Sequence, residues 1–271
     1  MIIRITKIIT LIVVTFMIGS NCVVFASELA PTSESAVLID HDSCSVLYEK
    51  NADSPLPMAS TTKIMTALTA LEYFTADTTM TIPIESIGIE GTSAYFEAGE
   101  AYTLRELLYA LLLQSANDAA SAIAINIAGS EENFSVLMNR KASAMGLRDT
   151  QFKNPHGLPE EGHYTTAKEL AIIASNALKN PTIAEIVSMK NAKIESESGK
   201  IKHFYNHNKL LSIYNGANGV KTGYTKSSGR CLVSSATRNG RTLIAVTLHS
   251  YDDWQEHMKM LNYGFSLLNK Q

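Results

Sequence analysis

The chain has 271 residues, 45% of them hydrophobic and 18% charged, with a formal net charge of −3. That composition excludes a disordered or collagen-like chain, and the length is ample for a substantial core. The weak negative charge, with no run of Lys or Arg in the sequence, argues against a nucleic-acid partner.

The first element is a leader. Arg4 and Lys7 give a basic start, Ile8 to Ile18 is apolar, and Val24-Phe25-Ala26 offers small residues at the two positions a signal peptidase reads. Residues 1–26 are read as a secretory signal cleaved after Ala26, which implies export to the extracellular, cell-wall or periplasmic space. The apolar run is shorter than the roughly 20 residues of a membrane-spanning helix. Cleavage leaves 21 basic against 26 acidic residues, net −5. Cys44 and Cys231 remain in the exported chain. They are too few for a disulfide-built scaffold and are read as free thiols without a catalytic role.

Residues 27–35, small and polar, read as a flexible lead-in. Ala36 to Asp40 and Ser45 to Tyr48 form a predicted hairpin turning at Asp42-Ser43. Pro55 and Pro57 break the chain before a helix that starts at Ser60, with Ile64, Leu68 and Leu71 on one face. Residues 79–102 read as short strands and loops. Thr103 and Glu106 form a capping box for a helix over 104–113. Further helices run from Asp118 to Ala128, closed by Gly129, and from Phe134 to Met145, closed by Gly146. A fourth starts at Thr165 or Thr166, and Pro181 opens a short fifth. Ile194 to Phe204 suggests a hairpin around Ser198-Gly199. Strands follow at 219–222, 231–237 and 242–248, the last two joined by the tight turn Asn239-Gly240. An amphipathic helix from Tyr251 to Leu268 closes the chain. The order strands, helices, strands, helix predicts an α+β fold. Its antiparallel sheet is flanked by helices, an all-helical lobe (about 103–190) is inserted, and a cleft lies between the lobes.

Three short motifs carry the chemistry. In Ser60-Thr61-Thr62-Lys63, a spacing of three puts Lys63 within reach of the Ser60 hydroxyl on one helix face. A neutral amine there can take the hydroxyl proton, and a helix start favours a developing oxyanion. In Ser115-Ala116-Asn117, an extended loop would point a hydroxyl and an amide into one cleft. In Lys221-Thr222-Gly223, a strand offers a fixed positive charge, a carboxylate-binding hydroxyl, and a bare backbone that permits close approach. Each motif alone is weak, since a chain this long holds about one Ser-x-x-Lys by chance. Ser60 is the only Ser followed by Lys three residues later, and the motifs stand in order, 55 and then 106 residues apart. Together they form the motif set of penicillin-interacting serine enzymes.

On these residues the chain resembles the D-alanyl-D-alanine carboxypeptidases, the low-molecular-mass penicillin-binding proteins. Asn154-Pro155-His156-Gly157-Leu158 and Gly219-Val220-Lys221-Thr222-Gly223-Tyr224-Thr225 share that family's wording, and the likeness runs from about Ser35 to Leu268. The resemblance implies a β-lactamase/D,D-peptidase-like catalytic domain over 36–271, and the C-terminal β domain that many relatives carry is not expected in this chain. It implies that Ser60 attacks the carbonyl between two D-alanines of a peptidoglycan stem peptide, with Lys63 as base. Ser115 and Lys221 would deliver a proton to the departing D-alanine, and Asn117 would bind the substrate amide. Thr222 and Thr225 would hold the terminal carboxylate, while backbone N–H groups of Ser60 and Tyr224 form the oxyanion hole beside Gly223. Penicillin would acylate Ser60 as a covalent inhibitor, and no cofactor or metal is required.

The chain also departs from some relatives. They carry an Arg where Asn206-His207-Asn208 has His, and another near the start of the final helix, where Asp252-Asp253-Trp254 stands. Trp254 is read as a packing residue and His156 as a loop organiser. His203 and His207 would pair on a metal only if helical, and that region reads as strand and loop. Two other readings use the same motifs: a β-lactamase, which lacks its Glu-x-x-Leu-Asn pattern here, and a non-catalytic wall-binding or β-lactam-sensing domain. The sequence leaves the oligomeric state open.

Overall fold

A computed structural model describes residue 29, residues 31–196 and residues 199–268. The leader expected over 1–26 lies outside the described residues. Ser33 to Ser35, read with the flexible lead-in, are instead tied to the body. The Ser33 amide donates to Glu256 Oε1 at 3.0 Å, and Ser35 begins the first strand.

That strand, β1 (Ser35–Asp40), turns into β2 (Val46–Lys50) as the alternation predicts. The other long strands come from the end of the chain: β7 (Ala217–Thr225), β8 (Gly229–Arg238) and β9 (Arg241–Ser250). They join in one antiparallel sheet of order β2-β1-β9-β8-β7. All six residues of β1 are buried, so both faces of the sheet centre are covered.

Helix α8 (Asp253–Leu268) covers one face. A Cβ on Gly264 would lie 2.6 Å from Leu243 Cδ1 and 2.7 Å from Leu38 Cδ2, so the missing side chain lets the helix settle on the strands. The alternate residues Val37, Ile39, Ile244 and Val246 belong to the main apolar core on the other face. Helix α5 (Ala167–Lys179) packs there against β1 and β9.

The rest of the helical lobe comprises α1 (Lys63–Tyr73), α2 (Leu104–Tyr109), α3 (Asn117–Ala128), α4 (Glu131–Ala144) and α6 (Pro181–Ser188). The capping box of Thr103 and Glu106 is formed, and Asn180 caps α6 just before Pro181. Short pairs β3 (Thr79–Thr81) with β4 (Ala101–Thr103), and β5 (Asn191–Glu195) with β6 (Ile201–Tyr205), lie outside the main sheet. One turn of helix, α7 (Leu210–Ile213), precedes β7. Cys44 and Cys231 are free thiols, and burial pushes the Cys231 thiol up to about 11. Among the described residues no helix is long and apolar enough to cross a membrane.

Candidate active site

Ser60 lies in a 3-10 turn, Ala59–Thr62, and the α-helix begins only at Lys63. The expected helix start at Ser60 is therefore corrected by one turn. The hydroxyls of Thr61 and Thr62 fold back onto the carbonyls of Met58 (2.6 Å) and Ala59 (2.7 Å), which tightens the turn. The Ser-x-x-Lys spacing still brings the two side chains together, with Lys63 Nζ 2.9 Å from Ser60 Oγ.

Lys63 is fully buried. Its amine also donates to Asn117 Oδ1 at 2.7 Å and to the His156 carbonyl at 2.6 Å. A protonated amine has three donors for these three acceptors. After losing a proton it keeps two N–H groups for Asn117 and His156, and the freed lone pair is left for the Ser60 hydroxyl. Burial, then the positive charge of Lys221, holds the Lys63 amine well below its ordinary value, and Asp118 opposes this.

Asn117 is where the extended-loop reading fails. Leu113 and Gln114 end a π-helical turn, Ala110–Gln114, and Ser115 is left-handed with φ 64°. Asn117 is already the first residue of α3. Ser115 lines the open cavity, whereas Asn117 is turned inward: its Oδ1 accepts from Lys63 and its Nδ2 donates to the Glu90 carbonyl at 2.6 Å. The neighbouring Asp118 accepts from Ser93 Oγ (2.6 Å) and Ala94 N (2.9 Å), so the start of α3 clamps the loop over 90–96.

On β7, Lys221 is 1% exposed and its amine donates to the Thr222 carbonyl at 2.9 Å. Burial lowers it to about 7, so its charge is not fixed at neutral pH, contrary to expectation. Gly223 meets the close approach foreseen for it. A Cβ there would stand 3.0 Å from both Ser60 N and Ala59 Cβ. Strand β7 thus runs directly beside the Ser60 turn.

A cavity of about 330 Å³ opens at this junction, lined by Ser60, Ser115, Thr222, Gly223 and Tyr224. Thr225 is not among its lining residues. Its hydroxyl closes the β7–β8 turn on Ser228 Oγ at 2.7 Å and borders a neighbouring groove with Gly157 and Glu160. Thr92, His207, Arg230, Asp253 and Trp254 also line the cavity. Trp254, expected as packing only, is therefore a wall of the site. Arg230 gave no local signal, and Asp253 stood out only as lying where some relatives carry an Arg, because it is the sheet register that brings β8 and the start of α8 to this place. His156 does organise its loop, its Nδ1 accepting from Leu158 N at 3.2 Å, but its carbonyl is also a partner of Lys63. His203 falls in β6 and His207 in the loop beyond it. Among the described residues no cluster of His, Cys, Asp or Glu is arranged to hold a metal ion.

Residues 22–251 match the family model for D-alanyl-D-alanine carboxypeptidase. The chain is 39% identical over 249 residues to D-alanyl-D-alanine carboxypeptidase DacF of Bacillus subtilis, covering 89% of this chain and 64% of that relative. It is 36% identical over 241 residues to a D-alanyl-D-alanine carboxypeptidase of Streptomyces sp. strain K15, covering 82% and 83% of the two chains. Among solved structures, the Streptomyces K15 DD-transpeptidase aligns with a TM-score of 0.83 at 33% identity, over 88% of this chain and 98% of that one. The chain thus spans just under two thirds of the Bacillus relative.

Proposed function

The chain belongs to the D-alanyl-D-alanine carboxypeptidase family, and from that premise we propose that it removes the terminal D-alanine from peptidoglycan stem peptides. The reaction runs through an acyl-enzyme on Ser60, and penicillin acylates the same oxygen as its β-lactam C–N bond opens. Neutral Lys63 takes the Ser60 proton as Oγ attacks the carbonyl between the two D-alanines. The backbone N–H groups of Ser60 and Tyr224 receive the oxyanion, and the bare backbone of Gly223 lets the strand come close enough. The C–N bond breaks as the leaving amine gains a proton, passed by Ser115 from the Lys63–Lys221 pair. Water then hydrolyses the ester and restores Ser60. Asn117 holds the amine of Lys63 through Oδ1 and gives one N–H of Nδ2 to the Glu90 carbonyl, which leaves its second N–H for the substrate amide. Thr222 meets the terminal carboxylate, and Thr225 supports it from the adjoining turn. These steps call for no cofactor. The work is done outside the cytoplasmic membrane, which residues 1–26 serve as an export signal.

The observation that carries this reading is the 2.9 Å contact between Ser60 Oγ and the amine of a fully buried lysine. Free D-alanine released from diacetyl-lysyl-D-alanyl-D-alanine is the direct measurement. The wild-type chain releases it and Ser60→Ala does not, whereas no release by the wild type overturns the reading. The relatives favour a peptidase over a β-lactamase or a silent wall-binding domain. Acyl-enzyme lifetime with penicillin separates the two enzymes, and the peptidase holds the acyl group for minutes or longer.

A further inference from the structure

The leaving residue of a carboxypeptidase ends in a carboxylate, and an anion entering a half-closed cleft needs a compensating charge. Lys221 is a weak candidate. It is 1% exposed and does not line the cavity, one of its N–H groups goes to the Thr222 carbonyl, and burial lowers it to about 7. Desolvation at the cavity wall, then Lys221, holds His207 below its ordinary value. Thr222 brings a hydroxyl but no charge. Arg230 is the one permanently charged cation that lines the cavity among the described residues.

The fold places Arg230 for this task. It stands opposite Tyr224 across the β7–β8 ladder, and Thr222 lies two residues along the same strand, so the three side chains share a sheet face. The side chain of Arg230 is exposed, and no hydrogen bond or ion pair occupies its guanidinium among the described residues.

Asp253, the first residue of α8, opens onto the same cavity. It is 4% exposed, and its Oδ1 accepts from Trp254 N at 3.0 Å. Burial raises its carboxyl and the charge of Arg230 counters that, yet no ion pair joins the two among the described residues. The cavity wall therefore holds a guanidinium without a hydrogen bond or ion pair among the described residues and, within reach of its field, a carboxylate that a second carboxylate would meet as a like charge.

We infer that Arg230 and Asp253 together set the specificity of the cleft for a free C-terminal carboxylate, Arg230 drawing it in and Asp253 holding it off. The inference rests on the carboxypeptidase reading and extends it to two residues outside the three motifs. It gives opposite signs to two conservative substitutions, which a merely structural role for either residue does not.

The test compares kcat/KM for diacetyl-lysyl-D-alanyl-D-alanine with kcat/KM for the same peptide ending in D-alaninamide. Arg230→Gln lowers the value for the free acid about tenfold, through KM, and leaves the amide within about twofold. Asp253→Asn keeps the oxygen that accepts from Trp254 N and raises the value for the free acid about threefold, again sparing the amide. An unshifted acid-to-amide ratio in both variants, or a fall with Asp253→Asn, overturns the inference while D-alanine release by the wild type leaves the carboxypeptidase reading standing. A wild-type enzyme that penicillin acylates but that releases no D-alanine overturns both.

Discussion

A free lysine holds its proton to about pH 10.4, so the short distance from Lys63 to Ser60 matters only because the fold lowers that threshold. Burial does most of it, and Lys221 adds the repulsion of a second positive charge. Replacing Lys221 with Met keeps the bulk and removes the charge. The cationic form of Lys63 then becomes easier to hold, so its pKa rises, and the ascending limb of the acylation profile moves to higher pH. The rate at neutral pH falls roughly 10- to 100-fold, because a proton donor is also lost. Acylation by a fluorescent penicillin, followed from pH 5 to pH 10, reads both effects. A slower reaction with an unmoved profile would show that Lys221 does not act on Lys63. At this scale the sequence was informative where spacing alone fixes geometry, as in Ser60 and Lys63. It was not for the orientation of Asn117, one N–H of which goes to the Glu90 carbonyl of a loop distant in sequence.

At the scale of elements, the Ser60 turn is held from behind by the loop 154–163. Thr66 Oγ1 donates to the Pro155 carbonyl at 2.6 Å, and Thr62 Oγ1 meets His163 Nε2 at 2.8 Å. Gly157 makes this seat possible. Its φ is +87°, and a Cβ would fall 1.9 Å from the Ala59 carbonyl oxygen and 2.8 Å from Thr62 Oγ1. Gly157→Ala adds a backbone collision to the cost of a left-handed residue and destabilises the protein by about 2–4 kcal/mol. Gly146→Ala is the control. It has φ +78° with nothing within 4 Å, so it pays only the conformational cost of about 1 kcal/mol. Urea unfolding gives both values, and equal losses would show that the loop yields freely. Acylation suffers only in Gly157→Ala, since only that collision displaces the nucleophile. The helix caps at Thr103 and Gly129, and the Asn239-Gly240 turn, were readable because each is settled within a few residues. The π-helical turn and left-handed Ser115 were not. They are fixed by bonds such as Asn117 N to the Thr92 carbonyl at 2.7 Å, which no local pattern announces.

Across the whole molecule, the sheet that carries β7 to the site is locked to α8 by a polar contact inside an apolar layer. His257 is fully buried between Ser234 Oγ, 2.6 Å from Nδ1, and Thr247 Oγ1, 2.9 Å from Nε2. A neutral ring suits this pair, one nitrogen donating and the other accepting, while a charged ring would bring an unpaired cation into the interior. Burial accordingly lowers His257 from 6.5 to about 3. The unfolded chain takes up that proton near pH 6.5, and the native state does not until about pH 3. Between those values the unfolded state binds more protons, so native stability is complete above the upper limit and drains away as the pH falls. From pH 7 to pH 4.5 this residue alone removes roughly 2–3 kcal/mol. His163, lowered to about 4 chiefly by burial, acts in the same direction. His257→Gln keeps a donor and an acceptor and cannot charge. It costs stability at pH 7 through poorer packing, but its loss between pH 7 and pH 4.5 is smaller than the wild type's by about 2 kcal/mol. Urea midpoints at the two pH values measure this, and parallel declines in the two proteins would mean that the acid sensitivity of the sheet–helix layer lies in other groups.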